Sequence, residues 1–209
     1  KQVLDHPWVL FGEDKMSKSK GNVIYADELA ARFGSDAVRY YLLSEVPFAQ
    51  DGNITYEAFI NKFNTDLANT LGNLVNRSIA MTNKYFGGTV TLPAEKDSLD
   101  EELFAFAEET VNKFNEQMDS YHTADACETV MDLARRCNKY IDETMPWVLA
   151  KDEESKPRLN AVMYNLLENI RLISVLLTPI MPKCSEEIRR QICCDNTEMK
   201  PYAVQNFSV

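Results

Sequence analysis

From Thr55 onward the sequence keeps one period: apolar residues recur three and four positions apart, the spacing that lays a buried stripe along a helix. Phe59, Ile60, Phe63, Leu67, Leu71, Leu74 and Val75 form the first stripe, in a run from about Tyr56 to Phe86 that stops at Gly87-Gly88. At 1.5 Å per residue such a helix is roughly 45 Å long. Ser98-Leu99-Asp100-Glu101 reads as a capping box opening a second helix, with Leu103, Phe106, Val111, Phe114 and Met118 inward. A third helix runs from about Ala124 to Thr144 and is stopped by Pro146. Pro157 suits the first turn of a fourth, which carries Leu159, Val162, Met163, Leu166, Ile170, Ile173 and Leu177. Pro179 and Pro182 break it, and Ser185 to Cys193 makes a short fifth. Striped helices joined by short loops predict an all-α fold, an antiparallel helix bundle over residues 54–209.

Residues 1–53 differ. Val9-Leu10-Phe11 reads as a strand ending at Gly12, and the polar stretch from Glu13 to Asn22 reads as loop. Asp27 is placed to cap a helix from Glu28 to Phe33, with Gly34 as its stop. Another helix starts near Asp36, carries Val38, Tyr41 and Leu42 inward and ends at Pro47. Asp51-Gly52-Asn53 reads as a turn.

A net charge of -10 argues against a general nucleic-acid binder, so any nucleic acid must be held by a local basic patch and by shape. The cysteines, Cys127, Cys137, Cys184, Cys193 and Cys194, include no Cys-x-x-Cys pair, and only His6 and His122 could add imidazoles. No zinc site is expected. Odd, scattered cysteines suit reduced thiols in a cytoplasmic protein. No apolar run is long enough to span a membrane, and no signal core precedes Val9. The first residue is Lys1 rather than Met, so the chain is expected to lie inside a longer protein.

Lys15-Met16-Ser17-Lys18-Ser19-Lys20-Gly21-Asn22 carries the most chemistry. Three alternating lysines with two hydroxyls and a glycine make a mobile polyphosphate site; the plain alternative is a solvated charged loop. The string resembles the Lys-Met-Ser-Lys-Ser signature of class I aminoacyl-tRNA synthetases, with the Lys-Gly-Asn-Val continuation of the methionine, leucine, isoleucine and valine enzymes. Asp36 to Leu43 resembles the helix that follows the signature there. Val46 to Gly52, Asp66 to Arg77 and Tyr140 to Trp147 look specifically like methionyl-tRNA synthetase. The resemblance spans residues 1 to about 190, with departures at His6-Pro7-Trp8, Tyr25-Ala26, Ser44 and Ala49.

It implies that residues 1–53 end a catalytic domain and that 54–209 form a class Ia anticodon-binding domain. It also implies a loop that closes over ATP (with Mg2+), in which Lys18 stabilises charge developing on the pyrophosphate leaving group and Lys15 assists. Ser17 and Ser19 would shape the loop. A cation placed where negative charge accumulates lowers the barrier directly. The implied partners are tRNA(Met), ATP and methionine. This chain, a monomer without a His-x-Gly-His motif or a methionine pocket, is expected to bind tRNA without catalysing.

At 100° per residue Lys62, Asp66, Asn69, Asn73, Arg77 and Lys84 share one sector of the first long helix. Any amphipathic helix has such a polar face, but Asn and Arg one turn apart also suit base edges. The resemblance places anticodon readers at Asn73 and Arg77. Trp147, just after Pro146, suits stacking on an unpaired base, and the resemblance assigns it the first anticodon base. Trp8 is read as core. Arg135, Arg136 and Lys139, and likewise Arg189 and Arg190, are phosphate contacts or solvated surface. Two other functions compete: a stand-alone tRNA-binding or scaffolding module, which would not need Lys15 to Lys20, and a leucine or valine synthetase, opposed by Asn69 to Arg77 and Pro146-Trp147.

Overall fold

A computed structural model describes residues 7–12, 14–46, 50–94, 96–201 and 207–209. The readings placed on His6, Glu13 and Pro47 to Ala49 lie outside these.

Strands β1 (Val9–Phe11), β2 (Asp14–Lys15) and β3 (Gly52–Ile54) form a sheet in the order β2-β1-β3. β2 is antiparallel to β1, and β3 is parallel to it. The expected turn at Asp51-Gly52-Asn53 is therefore a strand start. Gly52 is needed there for close approach, since a Cβ would collide with the Val46 side chain. Helices α1 (Ala26–Phe33) and α2 (Ser35–Glu45) cross between β1 and β3. α1 begins earlier than predicted, with Tyr25 rather than Asp27 at its cap. Asp27 and Glu28 sit in the first turn, where carboxylates favour the helix dipole. Gly34, at φ 84°, separates the two helices as expected.

The long helix is continuous but not uniform. It runs through α3 (Tyr56–Lys62), a π-helical segment Phe63–Gly72, and α4 (Asn73–Phe86), stopping at Gly87 with φ 60°. Thr55 caps it by accepting from the Ala58 N–H at 3.0 Å. Wider π turns rotate the side chains away from the 100° wheel. Asp66, expected on the polar face and lying in that segment, is 3% exposed; Ile60, expected in the stripe, is 44% exposed although it precedes the segment, in α3.

α5 (Ser98–Asp119) and α6 (Thr123–Thr144) form the next hairpin, followed by α7 (Pro146–Leu149), α8 (Lys156–Leu176) and α9 (Pro182–Gln191). β4 (Thr89–Val90) pairs with β5 (Phe207–Ser208). The capping box sits one residue earlier than predicted. Asp97 accepts from the Leu99 and Asp100 N–H groups, and Asp100 accepts from the Asp97 N–H at 3.1 Å. Pro182 starts α9 rather than ending a helix, because its missing N–H costs nothing in a first turn. In α5, Ala107 and Thr110 are buried, while Phe106, Val111 and Met118 are only half-buried.

α8 is buried on every side from Ala161 to Leu176, so its apolar stripe understates its role. Its charges are satisfied internally: Arg171 pairs with Glu168 at 2.6 Å and donates to the carbonyls of Glu198 and Lys200. α2 joins the bundle too. Arg39 donates to the carbonyls of Pro179 and Ile180, and the Cys184 N–H donates to Asp36 at 2.7 Å. Among the described residues no helix is long and apolar enough to cross a membrane.

Candidate nucleotide loop and nucleic-acid interface

The polar loop hangs from the β1–β2 pair. A 3-10 turn spans Lys18–Lys20, closed by Gly21 at φ 69°, a conformation that favours glycine. Asn22 clasps the loop: its Oδ1 accepts from the Ser17 N–H at 2.8 Å and its Nδ2 donates to the Lys15 carbonyl at 3.2 Å. The Ser17 and Ser19 hydroxyls lie 2.8 Å apart. Lys20 faces Asp14 at 3.6 Å, Lys15 Nζ lies 4.3 Å from the centre of the Trp8 ring, and Lys18 is exposed. Lysines, hydroxyls and loop amides on one short solvent-facing turn fit a polyphosphate. Among the described residues no group of three or more His, Cys, Asp or Glu could hold a metal ion. Trp8, read as core, is instead 63% exposed.

The second candidate lies on the bundle. Asn73 opens α4 and is exposed; Arg77, one turn on, is half-exposed and reaches Asp142 of α6 at 3.4 Å. One turn before Asp142, Asn138 donates to the Thr70 carbonyl at 3.1 Å. These bonds fasten the Asn73–Arg77 turn to the end of α6, which leads into Trp147. There Met145 adopts φ 45° and Pro146, buried, opens α7. The tight reversal leaves Met145, Trp147 and Val148 exposed, Trp147 by 42%. Asn73 and Arg77 thus lie on α4, tied through Asp142 to the end of α6, and Trp147 lies on α7, three residues beyond that end. Asp142 and the flanking Met145 and Val148 were not singled out from the sequence; the polar-to-apolar change around Pro146 was the available signal.

The rest of the predicted polar stripe does other work. Lys62 pairs with Glu45 at 2.9 Å and with Asp66 at 3.0 Å, and Asp66 accepts from the Tyr40 hydroxyl at 2.6 Å. Burial works against the Lys62 charge, but the hydrogen bonds to Glu45 and Asp66 outweigh it and raise the ammonium pKa. Burial, then the bond to Asp66, pushes the Tyr40 phenol up. Of the cations weighed as phosphate contacts, Arg135 is taken by Glu128 and Asp132, Arg136 by Glu143 and Glu102, and Lys139 by Glu143. Arg190 pairs with Glu187, and Arg189 donates to the Ser174 carbonyl.

Comparisons with known proteins agree with both halves. The family described as tRNA synthetases class I (M) matches residues 1–79, and the anticodon-binding domain of tRNA ligase matches residues 100–204. The bundle is therefore of the anticodon-binding class, led by a class I synthetase segment. The chain is 51% identical over 192 residues to a methionine–tRNA ligase of Clostridium perfringens, covering 92% of this chain and 30% of that protein. The Lactococcus lactis ligase is 44% identical over 208 residues, 100% of this chain and 31% of its own length. The Mycobacterium tuberculosis methionyl-tRNA synthetase, solved in complex with methionyl-adenylate, superposes with a TM-score of 0.85 at 35% identity, over 91% of this chain and 38% of that one. The chain belongs to the methionyl-tRNA synthetase family, and it spans about 30% of the length of the curated relatives it matches.

Proposed function

We propose that this chain is the anticodon-reading part of a methionine–tRNA ligase, with residues 1–53 closing a catalytic domain and residues 54–209 binding tRNA(Met). The observation that supports the reading is the tie at 3.4 Å between Arg77, one turn after the exposed Asn73, and Asp142 near the end of α6, the helix that leads into the exposed Trp147. Unpaired bases are recognised by stacking on an aromatic plane together with hydrogen bonds to their edges. Trp147 supplies the plane; Asn73 and Arg77 supply donors and an acceptor. The pair between Arg77 and Asp142 is long and half-exposed, so Arg77 can be drawn to a base at little cost.

In the whole enzyme the signature loop serves ATP: Lys18, with Lys15, faces the leaving pyrophosphate, and Ser17 and Ser19 donate to phosphate oxygens. ATP is used with Mg2+, and among the described residues no group of three or more His, Cys, Asp or Glu could hold the ion. On this reading the chain alone binds tRNA without making methionyl-adenylate, acts as a monomer and works in the cytoplasm.

Filter binding tests the reading. Replacing the first base of the C-A-U anticodon should weaken binding to the chain by about 1–3 kcal/mol, the scale of one good base contact. Trp147→Ala should remove most of that discrimination. Equal affinity of the wild-type chain for both tRNAs defeats the assignment.

A further inference from the structure

Strand register places two side chains of the lead-in lobe on one face. In the antiparallel pair of β1 and β2, Leu10 stands opposite Lys15. Opposed residues share a face, as do residues two apart along a strand. Trp8, two before Leu10, is therefore diagonal to Lys15, within reach of a long side chain and a large ring. The reach is used, since Lys15 Nζ lies 4.3 Å from the centre of the indole.

Trp8 joins neither hydrophobic core and is 63% exposed. Its main chain is what is held: its N–H donates to Asp51 Oδ1 at 2.8 Å and its carbonyl accepts from the Gly52 N–H at 2.9 Å. An indole left in solvent on a fixed backbone is a platform for a cation, and indole is the best of the aromatic rings for it. The neighbouring lysines are placed otherwise. Lys20 faces Asp14 at 3.6 Å, and Lys18 is exposed.

We propose that Trp8 is a positioning residue of the signature loop, whose ring holds the Lys15 ammonium in a resting place for which an incoming polyphosphate must compete. The proposal rests on reading the loop as a phosphate site. Removing the ring releases Lys15, so polyphosphate binds more tightly, by about two- to fivefold on the scale of an exposed cation–π contact. Lys18, which does not rest on the ring, keeps its reactivity.

The test uses the full chain and an amine-acylating reagent, with modification at Lys15 and Lys18 followed by mass spectrometry. In Trp8→Ala the rate at Lys15 relative to Lys18 should rise about two- to fivefold. In Trp8→Phe, which keeps a ring, it should stay near the wild-type value. Unfolding would also free Lys15, but it would at the same time raise labelling of Lys62, whose ion-paired side chain is 19% exposed. A rise at Lys15 with Lys62 unchanged is the expected result. An unchanged ratio in Trp8→Ala, or a rise shared by Lys62, overturns the proposal. Inorganic pyrophosphate is then added as competitor. It should protect Lys15 at a two- to fivefold lower concentration in Trp8→Ala than in wild type, about the same factor; equal concentrations also overturn the proposal. If pyrophosphate protects neither lysine in the wild type, the phosphate reading itself has failed. That failure is told apart because the Trp8 dependence of labelling is measured without pyrophosphate.

Discussion

Tyr140 donates to Asp100 Oδ1 at 2.5 Å, Arg158 donates to Asp100 Oδ2 at 2.6 Å, and Asn165 donates to the Tyr140 oxygen at 3.2 Å. Asp100 is 1% exposed, and burial alone would raise its carboxyl pKa. The bonds from Arg158, Tyr140 and the Asp97 N–H outweigh burial and lower it. A carboxylate depressed in this way adds stability that is complete above the ordinary aspartate range and is lost as pH falls through its folded value. Tyr140→Phe should therefore cost about 1.5–3 kcal/mol near neutral pH, the scale of a bond to a charged group. That difference should be smaller at acid pH than at neutral pH, shrinking as pH falls through the lowered folded value of Asp100. Urea midpoints at the two pH values check it, and an equal loss at both would contradict the charge-assisted role. The readers are tested at the same scale. Arg77→Ala in the full-length enzyme should leave stability within about 0.5 kcal/mol, while kcat/KM for tRNA falls by roughly tenfold for each 1.4 kcal/mol of lost contact. Lys62 looks like a control on the helical wheel but is not one, because its ties to Glu45 and Asp66 make its loss a folding defect. Lys84, exposed on the same helix, is the proper control and should lose nothing. A comparable loss for Lys84→Ala would mean a general basic contact.

Among elements, the π-helical segment Phe63–Gly72 shows where periodicity stops informing. The helices themselves were legible because apolar spacing, Pro at a first turn and Gly at a stop each have a local cause. Pro157, Gly34 and Gly87 all sit where those causes put them. A π turn has no such local signature. It is held by contacts distant in sequence, including the Tyr40 bond to Asp66 and the Asn138 bond to the Thr70 carbonyl. A wheel drawn at 100° thus grouped the buried Asp66 with the exposed Asn73. Asn73 and Arg77 escaped the error because both lie in α4, where the ordinary α turn has resumed. Trp8 was misread for a related reason, since an aromatic beside a strand gives no sign of which side faces solvent. The π geometry has a test at Gly72. In an α-helix Gly→Ala gains about 0.5–1 kcal/mol. Here the added Cβ would stand 3.0 Å from the Leu67 carbonyl oxygen, a backbone atom held in the widened turn. Gly72→Ala should therefore lower the urea midpoint, and a higher midpoint would show that the segment relaxes to ordinary α geometry.

At the scale of the molecule, a net charge of -10 meets a polyanion. The arginines of α6 and α9 weighed as phosphate contacts are engaged already, as is Lys139: Arg135, Arg136 and Lys139 each face carboxylates of α5 or α6, and Arg190 faces Glu187. Near the reading face Arg77 is held by one long pair to Asp142, and Lys151, four residues beyond Trp147, is exposed. Binding by this chain must then draw more on stacking and base-edge contacts than on counterion release. Each phosphate neutralised on an unpaired strand contributes a slope of about −0.7 to the fall of log K with log salt. If the reading face engages one or two phosphates, the slope for tRNA carrying the C-A-U anticodon should be about −0.7 to −1.4. The surrounding negative field should also keep the absolute affinity low at every salt concentration. Trp147→Ala should weaken binding without altering the slope, because a stacked ring releases no counterion, whereas Arg77→Ala should make the slope shallower by about 0.7. Filter binding across a salt series reads both. A wild-type slope as steep as about −5 would mean an extensive phosphate-binding surface. The bundle would then have to break several of its own ion pairs to receive the tRNA, and the reading face centred on Arg77 and Trp147 would be only a small part of the true interface.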